Sequence, residues 1–252
     1  MKKEYILEAC VDSVESALAA AQGGATRLEL CANLILGGTT PTPALFDAVR
    51  EAADLPVRVL IRPRFGDFLY TNWEHEIMCR DISTFAARGA CAFVFGALRP
   101  DGSLHLEQMA DLVAAAKGLP VTLHRAFDVC RDPMDTLEQA IDLGIGTILT
   151  SGQAATAWEG RALIGRLLDR AEVRSDILIG GGVNAGVIRA FRREFPLARA
   201  FHLSGKQVLD SGMAWRNRQV NMGLPGISEF QVWRTDEQAI RSAAQALEET
   251  AS

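Results

Sequence analysis

The sequence predicts a single (β/α)8 barrel of the TIM type. Three observations carry this expectation. Eight short apolar runs alternate with helical patterns, and their starts lie about 20 to 35 residues apart, the length of one strand–helix unit. No linker, low-complexity tract or charge run divides the 252 residues, so one domain spanning 1–252 is expected. The chain is 48% hydrophobic but only 7% aromatic, the aliphatic bias of parallel strands covered by helices. An open doubly wound sheet is the alternative, and eight regular units favour closure.

The predicted strands, in order, are YILEACV (5–11), RLELC (27–31), VRVLIR (57–62), AFVFG (92–96), VTLH (121–124), TILTS (147–151), DILIG (176–180) and AFHLS (200–204). Helix starts lie between them. Asp12 with Glu15 and Thr71 with Glu74 form capping-box patterns. Thr42-Pro43 and Asp132-Pro133 each put a capping residue before a proline at the first helical position. Asn184 precedes one helix, and Thr235 with Gln238 opens the last. Gly23-Gly24, Gly89 and Gly144 close helices ahead of the next strand. Two stretches break the rhythm: 63–73 after the third strand and 205–234 after the eighth. Both fall at strand C-terminal ends, where such barrels carry their sites.

Side chains alternate faces along a strand, and the face against the helices must be apolar. A charged residue within an apolar run therefore points to the barrel axis. This rule turns Glu8, Cys10, Arg27, Glu29, Cys31, Arg58, Arg62, Thr122, His124, His202 and Ser204 inward. Burying so many ionisable groups is costly unless they pair with each other or with a ligand. A structural ion-pair network is one reading of Glu8, Glu29 and Arg62. A pocket is the other, and His124 favours it, because Arg125 and Asp128 follow just past the strand end. His75 and His105 fall on helix starts and read as surface residues.

A second signal is GGGVN (180–184), between the seventh strand and its helix. Its glycines expose backbone N–H groups, and the helix N-terminus favours an anion. Gly181 and Gly182, with Ser204, Arg125, Thr150 and Ser151 from neighbouring strand ends, are the candidate anion-binding residues. A tight turn alone also accounts for the glycines. No G-x-G-x-x-G or P-loop pattern is present in the sequence, so no nucleotide cofactor is expected.

A net charge of −5 argues against nucleic acid, which wants a basic face. No apolar run approaches the roughly 18 residues of a membrane span, and Glu8 interrupts the N-terminal apolar stretch. A cytoplasmic chain with no membrane or nucleic-acid partner is expected. The five cysteines (Cys10, Cys31, Cys79, Cys91, Cys130) form no CxxC pair, so a disulfide framework is not.

The blocks ELCAN (29–33), GGTTPT (37–42), IRPRFGDFLY (61–70), HRAFD (124–128), LTSGQ (149–153) and GGGVNA (180–185) resemble the CutC family of copper homeostasis proteins. The resemblance runs from residue 5 to about residue 222. It implies a TIM-type barrel, a cytoplasmic location, self-association into dimers or tetramers and a role in copper handling. It also implies that Cys10 and Cys31 are the metal ligands, for a soft Cu(I) ion. From spacing alone, two lone cysteines read as readily as core packing.

The resemblance makes copper handling the expected function, and an enzyme is the alternative. A copper-binding protein uses Cys10 and Cys31 but leaves the other polar groups unexplained. An enzyme acting on a small anionic or phosphorylated substrate would use Glu8 or Glu29 as general base, His124 as general acid, Arg62 as a grip on negative charge and Asp128 at the rim. Two glutamates and two histidines could instead hold a divalent cation.

Overall fold

The structure, a computed structural model, describes residues 5–217, 219, 220 and 226–249. Residues 218 and 221–225 of the long segment after the eighth strand lie outside the described residues, as do both ends of the predicted domain.

Eight parallel strands close into a barrel in sequence order: β1 (Ile6–Val11), β2 (Arg27–Leu30), β3 (Val57–Leu60), β4 (Ala92–Phe95), β5 (Val121–Leu123), β6 (Thr147–Thr150), β7 (Asp176–Ile179) and β8 (Ala200–Leu203). β8 pairs back onto β1 and leaves no edge. The covering helices are α1 (Val14–Gln22), α2 (Pro43–Ala52), α3 (Asn72–Ala87), α4 (Leu106–Ala115), α5 (Pro133–Asp142), α6 (Arg161–Ala171), α7 (Ala185–Glu194) and α8 (Glu237–Glu249). Every predicted strand is present. Most stop a residue short of the predicted end, so Cys31, His124, Ser151, Gly180 and Ser204 leave the ladder and form the upper rim.

Alternation sorts the side chains as expected. Leu7, Ala9, Val11, Leu28, Leu30, Val59, Ile61, Leu123, Phe201 and Leu203 join the main core between strands and helices. Inside the barrel lie two small apolar clusters, one of Cys10, Cys31, Leu60 and Val94, the other of Leu149, Leu178 and Ala200.

The predicted caps of α2, α3, α5 and α7 form. Thr42, Thr71, Asp132 and Asn184 each accept a backbone N–H of the first helical turn, and Thr71 with Glu74 makes both bonds of a capping box. Two starts differ. Ser13, not Asp12, caps α1 by accepting from Ser16 N–H, and the Asp12 carboxylate accepts instead from Leu34 N–H at 3.3 Å. α8 begins at Glu237, because Thr235 is the last residue of a strand and Asp236 accepts from Gln238 N–H at 2.9 Å.

That strand belongs to a correction. The stretch after β8, expected as a loop over 205–234, contains an antiparallel ribbon of β9 (Lys206–Asp210) and β10 (Gln231–Thr235). β9 is exposed along its whole length, so no core-facing alternation marks it in the sequence. An isolated pair of strands is marginal in water, and here β10 is moored to the barrel. Thr235 N–H donates to Ser16 Oγ at 3.1 Å, Thr235 Oγ1 donates to the Ser204 carbonyl at 3.0 Å, and Lys206 Nζ sits 3.7 Å over the Trp233 ring. The other predicted break, after β3, is irregular up to the start of α3.

Candidate functional site

The strand register stacks the inward polar groups in layers. Glu8 of β1 lies level with Arg27 of β2 and His202 of β8, and Cys10 lies level with Glu29. Glu8 is fully buried. Its carboxylate accepts from Arg27 Nε at 2.5 Å, meets His202 Nδ1 at 2.8 Å and has Arg58 Nε at 3.8 Å. Burial alone would raise its pKa, but Arg27, His202 and Arg58 outweigh that and hold it down to about 2. Arg58 also donates to Thr122 Oγ1 at 3.0 Å. Glu8 does not line the cavity above it; it serves as counter-ion to three cations, the arrangement the ion-pair alternative describes.

The next layer carries the thiols. Cys10 Sγ lies 3.8 Å from Cys31 Sγ and 3.3 Å from Glu29 Oε1. One ligand atom each from Cys10, Glu29 and His202 falls within 4.8 Å of the other two. The bond to Cys31, then burial and the Glu29 charge, push the Cys10 thiol well above its ordinary range. Burial, reinforced by the Glu8 charge, raises Glu29 against the pull of His202. Burial opposes a charged His202, yet Glu29, Cys10 and Glu8 together lift it well above 6.5. Its Nδ1 faces Glu8, which leaves Nε2 as the atom offered to Cys10 and Glu29. Cys31 is 0% exposed and Cys10 5%, so Cys10 alone of the pair reaches the cavity. Gly38 lids Cys31 closely: a Cβ there would stand 2.8 Å from Leu60 Cδ2 and 3.3 Å from Cys31 Cβ.

Above this layer the strand ends open into a cavity of about 1060 Å³, at the upper end of ligand-sized pockets. Cys10, Glu29, Arg62, His124, Arg125, Asp128, Gly181, Gly182, His202 and Ser204 all line it. His124 caps the 3-10 turn that follows β5. Its Nδ1 accepts from Ala126 N–H at 3.2 Å, so the ring proton sits on Nε2. Burial, then the nearby Arg62 charge, press its pKa down to about 3, and the ring is neutral. Phe68 packs on it at 4.8 Å. Only glycine fits at position 96, where a Cβ would lie 2.8 Å from His124 Nδ1.

Two predicted groups line the cavity, but both are bonded within the protein. Arg62 lines the cavity, but its fork is spent on backbone: Nη1 donates to the Gly37 and Gly38 carbonyls at 3.3 and 3.1 Å, and Nη2 to the Gly66 carbonyl at 2.7 Å. It ties the loops after β2 and β3 together and stacks over Phe68 at 5.0 Å, so it is not free for a bidentate grip on a ligand. Asp128 is a clasp. It accepts from Thr150 Oγ1 at 2.6 Å, from the N–H groups of Ser151 and Gln153 at 3.0 and 3.2 Å, and from Arg125 Nε at 2.6 Å. Ser151 Oγ donates to the Ala154 carbonyl and takes Arg125 Nη2, both at 2.7 Å. Thr150 and Ser151 are thus spent inside the wall and do not line the cavity. Alternation along a strand shows which way a side chain faces, and nothing of what it bonds. His202 turned inward by the same alternation and received a role only as one of two histidines that could hold a divalent cation. Its signal was its register beside Glu8, which a single strand does not reveal.

A closed (β/α)8 barrel thus brings paired thiols, a carboxylate and an imidazole together under an open mouth at its strand C-terminal ends. The family model described as the CutC family matches residues 5–207. The chain belongs to the CutC family. It is 44% identical over 239 residues to the copper homeostasis protein cutC homolog of Homo sapiens, covering 94% of this chain and 87% of that one. It is 46% identical over 231 residues to a family protein CutC of Bacteroides fragilis, covering 91% and 92%. Among solved structures, the copper homeostasis protein CutC of Streptococcus agalactiae superposes with a TM-score of 0.75 at 30% identity, over 79% of this chain and 98% of that one. A phosphonopyruvate hydrolase shares the barrel alone, with a TM-score of 0.53 at 12% identity over 79% of this chain and 74% of that one. No helix among the described residues is long and apolar enough to cross a membrane.

Proposed function

We propose that this chain handles copper by binding Cu(I) through the thiolates of Cys10 and Cys31, with His202, within 4.8 Å of Cys10, as a further donor. The observation that carries the reading is the 3.8 Å separation of the two sulfurs at the base of an open cavity. Metal–sulfur bonds of about 2.3 Å let one ion touch two sulfurs up to about 4.6 Å apart, so the pair fits a single ion. Thiolates select soft Cu(I) over hard cations, and the apolar walls of Leu60 and Val94 suit it. Glu8 steadies His202 from behind, as carboxylates do for metal-binding histidines. The raised Cys10 pKa keeps that thiol protonated without metal, so binding releases a proton and strengthens as pH rises. The reading includes a cytoplasmic, reducing location, in keeping with five free cysteines, and self-association of the chain.

The test is an anaerobic competition titration of Cu(I) against a chromophoric chelator, with wild type and Cys10→Ser/Cys31→Ser. The wild type is expected to hold one Cu(I) at least a hundredfold more tightly than the double variant. Equal, weak binding by both would remove the thiol pair from copper handling.

A further inference from the structure

Gly181 and Gly182 adopt φ of +95° and +72°, values that glycine reaches freely. They lie just ahead of Asn184, the cap of the ten-residue α7. Their N–H groups find no partner among the described residues, and both glycines line the cavity with Ser204. Successive free N–H groups at a helix N-terminus form a positive concavity suited to an anion.

A tight turn would explain the glycines, but not what shares their cavity. His124 is 5% exposed, and its Nε2–H, turned away from the Ala126 bond, has no partner among the described residues. Glu29, 4% exposed, likewise leaves Oε2 without a partner among the described residues. Buried donors and acceptors are normally satisfied, and each exception asks for an explanation. The charged groups around the cavity are Arg62, Arg125, Lys206, His202, Glu29 and Asp128. Asp128 is neutralised by Arg125 and three further donors, and Arg62 is spent on carbonyls. A cavity of about 1060 Å³ far exceeds an inorganic ion, so the ligand carries an organic body.

The geometry points to a small organic phosphomonoester as the ligand of this cavity, its phosphate on the N–H groups of Gly181 and Gly182 at the head of α7 and a hydroxyl or carbonyl oxygen accepting the His124 Nε2–H. The positive end of the α7 dipole behind these two N–H groups favours the doubly charged head of a monoester over a singly charged carboxylate. Lys206 at the rim adds attraction without competing for the same bonds. The site uses neither Cys10 nor Cys31 and does not depend on the copper reading.

The experiment titrates the full chain with glycerol phosphate, inorganic phosphate and glycerol, following backbone amide resonances, with calorimetry for affinity. Glycerol phosphate is expected to shift the Gly181, Gly182 and His124 signals saturably, inorganic phosphate the two glycines alone, and glycerol none. Gly182→Ala should weaken both phosphates at least tenfold. His124→Gln should weaken glycerol phosphate about tenfold and leave inorganic phosphate unchanged. Absence of a saturable shift at the two glycines of wild type, which needs no variant to fold, overturns the proposal, as does an equal response to glycerol.

Discussion

At the scale of single residues, burial sets the protonation of the mouth, and one residue makes this measurable. His124 is neutral in the fold, with its pKa depressed from 6.5 to about 3 by burial and then by Arg62. Between those values the unfolded chain takes up a proton that the folded chain refuses. Stability from this group is therefore whole above pH 6.5 and is lost as pH falls toward 3, at about 1.4 kcal/mol per pH unit. Glu8 acts in the same direction but lower, its contribution present above about pH 4.5 and lost as pH falls toward 2. His202 has the opposite sign: its pKa is raised, so its contribution is whole below 6.5 and lost as pH rises through its folded value. His124→Gln should thus flatten the pH dependence of the urea-unfolding free energy between pH 6.5 and 4.5, above the Glu8 window. An unchanged slope would mean that His124 is not the neutral buried ring described above. Alternation in VTLH was enough to turn this residue inward. That its Nδ1 is consumed by its own turn depends on the chain folding back at Ala126, which no spacing rule reports.

At the scale of elements, strands and caps were legible where a core face or a backbone donor enforced them. The eight barrel strands alternate because one face must meet helices, and Thr71 with Glu74 capped α3 because two orphan donors needed partners. The ribbon of β9 and β10 was not legible, since β9 has no buried face. Ser13 displaced Asp12 as a cap because Asp12 has a distant use at Leu34. Asp128 gives the clearest case of a long-range role hidden in a local motif. Residues 124–128 read as a site, yet the acid fastens β6's end to the turn after β5. Asp128→Ala should leave several donors buried and unpaired, including the Ser151 N–H, and destabilise the protein by about 3 kcal/mol. Thermal unfolding checks it; a change under 1 kcal/mol would show that the turn holds without the clasp.

At the scale of the whole molecule, the barrel is a continuous scaffold whose layers meet at one mouth, so occupancy there should be felt in global unfolding. A ligand that binds only the native state at a hundredfold excess over its Kd adds about 2.7 kcal/mol. For a chain of this size that corresponds to a rise in Tm of about 5 to 10 °C. Cu(I) under anaerobic conditions should produce such a rise in wild type and not in Cys10→Ser/Cys31→Ser; an equal rise in both would place the metal elsewhere. The fold class was legible because the unit of repetition is long and regular. The cavity was legible only in outline, because its walls are shared among strands far apart in sequence.

The two thiols differ in one respect with a kinetic meaning. Cys31 is sealed under Gly38, while Cys10 touches the cavity. Anything arriving from outside must meet Cys10 first, and anything leaving must pass it last. On the copper reading proposed above, the pair would work as a queue with one open end: exchange with an outside carrier would proceed through a species bridged at Cys10, and Cys31 would govern how long the cargo stays rather than whether it arrives.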